Sequence, residues 1–409
     1  MMRIAILYTS TLNLGSFITA VNFMYYTQKA LKDTINYIVA VSDSSDTCRR
    51  IREELGDETI MFEMTSPIPF SAHKMFNCLL AQIDSNRIIK IFPEKFLDAD
   101  AIVALGGDIF TESYGGIDAV VELLILHTFR RRFGKKVTLL SQTIGPFTGW
   151  REPFMLALLR GIDLITCRDL LSYSYLRKYG LRNVALGSDL AFLPLPKEDR
   201  PNLELERNCV VLAPSYLLGN YMRYASYEDY VGFWSSLAAD IIKMGYEVII
   251  VPHACNHPYD DDRLIVKDIE IEIKKKFSKE IYKNVRIVHD LMLPHRIRND
   301  VFSKAKVTIT GRMHASISSI VMGAVPINLA YSEKSYGVIS QDLGTEELVV
   351  DVRRIHSIAQ LKKLTMNILT KILKSYDIYH KQIFKKMHTM RYRALKNILL
   401  FLKIIQDQN

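Results

Sequence analysis

Short apolar runs alternate along this chain with longer stretches that carry apolar residues at helical spacing. Arg3–Tyr8, Tyr37–Val41, Ala101–Leu105, Val137–Ser141 and Leu164–Thr166 predict buried strands. Ile117–Arg132 and Pro153–Leu159 predict helices between them. This alternation implies βαβ units and a parallel sheet. It pauses near Leu193–Arg207, where Pro194, Pro196, Lys197, Glu198, Asp199, Arg200 and Pro201 form a polar, proline-rich stretch expected to link two domains. A second series follows: strands Cys209–Ala213, Tyr246–Val251, Val285–Val288, Val307–Thr310 and Val325–Leu329, with a helix over Tyr227–Met244 between the first two. From Leu361 to Ile405 apolar residues recur at helical spacing, predicting two or more amphipathic helices.

The expected architecture is therefore α/β: a Rossmann-like domain over 1–195, a second over 205–352, and a helical tail over 353–409 packing across both. The length of 409 residues supports this division, because single cores stop growing near roughly 250–300 residues. Two such domains facing a cleft would bind ligands at the carboxyl ends of their strands.

Charge changes the picture in one place. Of the net +9, the tail from Arg353 to Asn409 contributes thirteen Lys/Arg against two Asp/Glu, so the remainder is near −2. A basicity confined to the tail argues against a nucleic-acid binder, and no aromatic platform or helix-turn-helix pattern supports one. The five cysteines show no CxxC spacing, so reduced thiols are expected rather than a zinc site or disulfide framework. No run reaches the ~18 apolar residues of a membrane span. The amino terminus reads as a strand rather than a signal peptide, so a cytoplasmic protein is expected, with the inner membrane face as a peripheral location.

The segment Val307-Thr-Ile-Thr-Gly-Arg-Met-His-Ala-Ser-Ile-Ser-Ser-Ile320 carries the most chemistry. A strand ends at Thr310 and a helix follows, so Arg312 and His314 fall where free N–H groups and the helix dipole favour an anion. Arg312 offers a planar fork for a carboxylate or phosphate, and His314 exchanges protons near neutral pH. The spacing equally permits a salt-bridged Arg312 and a helix-capping His314. Lys334 follows the next strand on the same sheet edge and adds a cation suited to phosphate, or is an ordinary solvated lysine.

Arg-x-His-Ala-x-Ile, Gly-x-x-Pro and Tyr331-Ser-x-Lys334 resemble the carboxyl-terminal signature of the polysaccharide pyruvyl transferase family. Asn13-Leu14-Gly15, Leu105-Gly106-Gly107-Asp108, Ser141-Gln142-Thr143-Ile144-Gly145-Pro146, Arg168-Asp169 with Ser172, Asp189-Leu-Ala-Phe192 and Pro252-His253 with Asp260–Asp262 continue the likeness, in order, over residues 4–337. Ser16 departs from it, since many members carry Asp there. The resemblance implies a GT-B-like fold and phosphoenolpyruvate as donor substrate, without cofactor or metal. It further implies Arg312 as donor ligand and His314 as the catalytic residue. The acceptor would be a sugar of a cell-surface polysaccharide or a lipid-linked precursor, converted to a ketal with release of phosphate.

Other positions carry paired readings. Asn13, Gly15, Gly107 and Asp108 would form the acceptor face, with Asp108, like Glu112, also suited to a turn or helix cap. Gln142, Gly145 and Pro146 suit a structural turn. Arg168 would meet an anion or pair with a neighbouring Asp. His253 would contact donor or acceptor, or serve as a turn histidine. The Asp260–Asp262 run suits the helix dipole and solvent rather than a metal. His127 and Arg130–Arg132 suit a helix carboxyl end. The tail, with Leu399-Leu400-Phe401-Leu402, would pack on the domains, meet an acidic partner, or dock on an anionic membrane surface. Two other functions share these features: a GT-B-type glycosyltransferase using a nucleotide sugar, and a non-catalytic homologue that binds glycans or a partner.

Overall fold

The computed structural model describes residues 1–7, 9–31, 35–40, 45–65, 94–112, 116–199, 207–256 and 260–407. Tyr8, Val41, Cys78, Arg200 and Pro201 of the sequence reading lie outside them.

The chain divides into two compact units. The first comprises Met1–Thr11, Ser16–Pro196 and Met390–Asn409; the second, Leu12–Gly15 and Lys197–Thr389. The boundary near Pro196 falls in the proline-rich stretch. One assignment differs from the sequence reading. Leu12–Gly15, expected with the amino-terminal domain, belongs to the second unit. The tail is shared, with its last part in the first unit.

The first unit is built on a wholly parallel seven-stranded sheet, in the order β3-β2-β1-β4-β5-β6-β7. Its strands are β1 (Met2–Leu7), β2 (Ile35–Ala40), β3 (Met61–Thr65), β4 (Ala101–Leu105), β5 (Lys136–Gln142), β6 (Leu164–Cys167) and β7 (Val184–Leu186). The central strands are apolar on both faces because helices cover both, as crossover connections require. Helix Gly116–Phe133 buries residues around most of its circumference, from Ala119 to Phe129. The sequence reading missed β3 and β7. Their polar Glu63 and three-residue length, respectively, are what an edge position permits.

The second unit holds a parallel six-stranded sheet, in the order β12-β9-β8-β13-β14-β15. Its strands are β8 (Cys209–Ala213), β9 (Glu247–Ile250), β12 (Val285–Ile287), β13 (Ala305–Thr310), β14 (Val325–Ala330) and β15 (Val349–Asp351). A two-stranded antiparallel ribbon, β10 (Cys255–Asn256) with β11 (Asp260–Asp261), follows β9. Helix Tyr227–Lys243 starts at a capping box of Ser226 and Asp229, which satisfies two backbone donors reciprocally.

The tail forms helices Ile358–Lys374 and Tyr376–Gln406. Within the second unit, Lys362 pairs with Asp240 at 2.7 Å. In the first, Phe401 packs on Phe23 and Asn397 donates to the Ser188 carbonyl at 2.7 Å. Phe401 and Leu402 are buried while Leu399 is exposed, so half of that apolar cluster is used in packing. No helix among the described residues is long and apolar enough to cross a membrane.

Cys48, Cys167, Cys209 and Cys255 are thiols rather than disulfide-bridged. Burial pushes the Cys209 thiol up to about 12, which leaves it a small apolar core residue rather than a reactive thiolate.

Candidate active site

Three strand ends of the second unit converge on one carboxylate. Asp262 opens the helix Asp262–Lys276 and is fully buried. Its oxygens accept the N–H of Tyr216 beyond β8 (2.8 Å) and of His253 and Ala254 beyond β9 (3.1 and 2.9 Å). They also accept Nε and Nη2 of Arg312 beyond β13, at 3.0 and 2.5 Å. Asp260 accepts Nη1 of the same arginine at 3.0 Å, and Nη2 as well. These two aspartates therefore do not serve solvent, as the sequence reading expected. Asp261 alone caps the helix, accepting the Arg263 N–H and pairing with its guanidinium at 2.7 Å.

The Arg312 fork is thus already occupied by carboxylates. These four bonds use every side-chain N–H but one, on Nη1. Burial pulls the guanidinium pKa down, but Asp262 and Asp260 outweigh this and hold it well above its usual value. Burial raises the Asp262 carboxyl despite the opposing pull of Arg312. One cation between two acids fixes the guanidinium plane while leaving little of it for a ligand.

His314 occupies the first turn of helix Met313–Val321. Arg312, the N-cap residue, makes no side-chain cap on that helix, and a helix start of this kind favours an anion. The half-buried imidazole lies against Gly15: a Cβ built there would meet His314 Nδ1 at 2.0 Å. Gly15 reaches this place because Leu12–Gly15 is laced to the segment after β9. The Cys255 N–H donates to the Leu12 carbonyl at 2.7 Å, and the Leu14 N–H to the His253 carbonyl at 3.2 Å. Asn13 turns its Oδ1 onto the Gly15 N–H at 3.0 Å. Asn13 and Gly15 therefore shape the surroundings of His314.

His253 is 1% exposed, and its Nε2 has no hydrogen-bond partner. Burial, then the charges of His314, Arg312 and Arg298, hold its pKa well below the usual value, so the ring is neutral. Lys334 follows β14 with its Nζ 5.6 Å from the centre of the Tyr331 ring, and Tyr331 is within electrostatic reach of Arg312.

The structure thus brings Asn13, Gly15, His253, Arg312 and His314 into one neighbourhood, with Lys334 adjoining through Tyr331. Arg168, Gly107 and Asp108 belong to the first unit. Arg168 is turned inward and 1% exposed, donating to Thr143 Oγ1 at 2.9 Å and Asp189 at 3.0 Å. Gly107 has φ +92° and accepts the Thr143 N–H at 3.0 Å; the Asp108 carbonyl accepts the Thr111 hydroxyl at 2.7 Å. Glu112 holds Arg151 and Thr148, and Arg151 in particular draws its carboxyl down to about 2. The sequence reading missed the roles of Asp260 and Asp262, and it missed Arg298, which is buried against Glu198 at 2.5 Å. The acidic run was visible; its pairing across fifty residues was not. Among the described residues, no cluster of His, Cys, Asp and Glu is placed to hold a metal ion.

Two α/β units, each built on a parallel sheet, define the GT-B-like fold class. Solved structures share the fold. The UDP-GlcNAc 2-epimerase of Neisseria meningitidis matches with TM-score 0.58 and 9% identity, over 98% of this chain and 100% of that one. The S. aureus MnaA–UDP structure matches at 0.61 and 9%, over 99% and 98%. MurG of Acinetobacter baumannii matches at 0.53 and 10%, over 98% and 100%. Residues 14–333 match the polysaccharide pyruvyl transferase family, and the chain belongs to it; it is a transferase. The amylovoran biosynthesis protein AmsJ of Erwinia amylovora is 22% identical over 316 residues, covering 73% of this chain and 72% of that protein.

Proposed function

We propose that this transferase moves the pyruvyl group of phosphoenolpyruvate onto two hydroxyls of one sugar of a polysaccharide or its precursor. The carrying observation is the His314 imidazole, seated on Gly15 at an uncapped helix start beside Arg312. Family membership and the relation to an amylovoran biosynthesis protein support the same reading.

In this mechanism the donor's anionic groups rest on the first-turn N–H groups, the remaining Nη1 N–H of Arg312, and Lys334. His314 delivers a proton to the methylene carbon. The neighbouring carbon becomes electrophilic and bonds to a sugar oxygen. A second hydroxyl of that sugar then forms the other C–O bond as the C–O bond to phosphate breaks. His314 recovers one proton from the two hydroxyls, and the other departs with the phosphate. Because Arg312 is shared between two aspartates, its main part is to hold the site's shape. Lys334 and the helix start carry the larger share of donor binding. His253, being neutral, adds no competing positive charge.

Incubation with phosphoenolpyruvate and a glycan panel tests this reading. Phosphate release coupled to a gain of one carboxyethylidene group on the glycan is expected. Stabilisation by nucleotide sugars with no response to phosphoenolpyruvate would overturn it in favour of glycosyl transfer.

A further inference from the structure

The loops leaving β8 and β15 enclose a cavity of about 610 Å³, walled chiefly by Tyr221, Arg223, Tyr224, Arg353 and His356. In the sheet, β13 and β14 lie between those two strands. Tyr221 stacks on Tyr331, the residue next after β14, with ring centres 4.8 Å apart. The cavity wall therefore adjoins the segment that carries Lys334. The volume is within the range of cavities that enclose a ligand of several rings, and far exceeds the needs of a three-carbon acid.

Its chemistry is one-sided, since no carboxylate lines it. Arg353 is matched by Asp351, with Nε–Oδ1 3.0 Å. Arg223 has no ion pair among the described residues. The Tyr224 hydroxyl is buried without a partner, and burial pushes its pKa up to about 12, so it stays a neutral donor. Two tyrosine rings, an unmatched guanidinium, an imidazole and an idle hydroxyl suit a ring with oxygen substituents that carries an anionic group.

We propose that this cavity binds a saccharide bearing a phosphate or diphosphate group, presented as acceptor to the neighbouring donor site. The acceptor role rests on the pyruvyl-transfer reading; the binding itself does not. Such a group occurs on free sugar phosphates, on nucleotide sugars and on lipid-linked sugars, and all three share the chemistry that the cavity offers.

Titration calorimetry on the full chain tests it. The probes are a hexose 1-phosphate, a nucleotide diphosphate hexose, a short-chain polyprenyl diphosphate hexose, inorganic phosphate and the neutral hexose, each as glucose, galactose and N-acetylglucosamine forms. At least one phosphorylated sugar is expected to bind well above phosphate or neutral sugar, and the tightest of the three identifies the source. Arg223→Ala should weaken that binding by about tenfold or more, and Tyr224→Phe by several-fold, with unchanged melting temperature. Absence of binding by every phosphorylated sugar, or equal affinity in wild type and both variants, overturns the proposal. Intact phosphosugar binding without phosphoenolpyruvate-dependent phosphate release sinks the donor reading alone. Phosphate release with a panel that ignores both substitutions sinks the cavity alone.

Discussion

Each unit has an arginine just beyond a strand and just before a helix, yet the two have opposite surroundings. Arg168 follows β6 and meets one carboxylate, Asp189, with both side chains sealed from solvent. The helix after it, Leu170–Lys178, is capped by Asp169, whose side chain accepts the Ser172 N–H at 2.8 Å. The guanidinium is paired and the helix start is capped, so the motif is closed. Arg312 follows β13 and meets two carboxylates, while the helix after it has no capping side chain. The imidazole beside it is half-buried, and a second imidazole behind it has an unpartnered nitrogen. The difference teaches that the fate of the helix start, more than the presence of arginine, separates a structural lock from a site for chemistry.

The largest effect should come from His314→Ala. Turnover is expected to fall by about 10²–10⁴-fold, with the melting temperature unchanged. Retained phosphate release would reduce the second motif to the status of the first. Next, Arg168→Ala leaves Asp189 charged in the core, and urea unfolding should report a loss of about 3–5 kcal/mol. An Arg168→Ala protein of normal stability but lost donor binding would break the comparison from the other side. Gly15→Ala should push the His314 ring aside and lower kcat by about tenfold or more with little change in KM for phosphoenolpyruvate. Gly107→Ala is its control: a Cβ has room there, and only the positive φ resists it, by roughly 1–2 kcal/mol in stability.

A smaller change follows from Asp169→Ala, which uncaps the helix of the closed motif. The expected loss is about 1 kcal/mol in unfolding free energy, with kcat retained. The least is a pH effect. Because His253 is held neutral in the native protein, the unfolded chain takes up a proton that the folded one refuses. Stability should decline as pH drops from about 6.5 through the depressed folded value. His253→Gln should remove about one proton from that dependence; an unchanged slope would show that His253 titrates normally.

Much of the fold was legible. Strands β4 and β8 were predicted with the bounds they have, since continuous apolar runs between turn signals report burial on both faces. Edge strands of only three residues, such as β7 and β15, gave no comparable signal. At the site, Arg312 and His314 were visible because a strand-to-helix junction is a local pattern. The partners of Arg312 were not: Asp260 and Asp262 lie some fifty residues away, within a run that also suits an ordinary helix start. Arg168 has Asp169 beside it in the chain, but its guanidinium meets Asp189 instead.

Periodicity by itself determined the two parallel sheets, the proline-rich boundary and the basic helices of the tail. Backbone geometry repeats over a few residues, so a local pattern is enough to set it. Only the tertiary structure decided that Gly15 lies under His314, that Asp262 ties three strand ends together, and that one arginine is sealed while the other stands at a helix start without a side-chain cap. Hydrogen bonds and charges act over ångströms in space, and the residues that meet at that range are brought there by the folded sheets, not by their spacing along the chain.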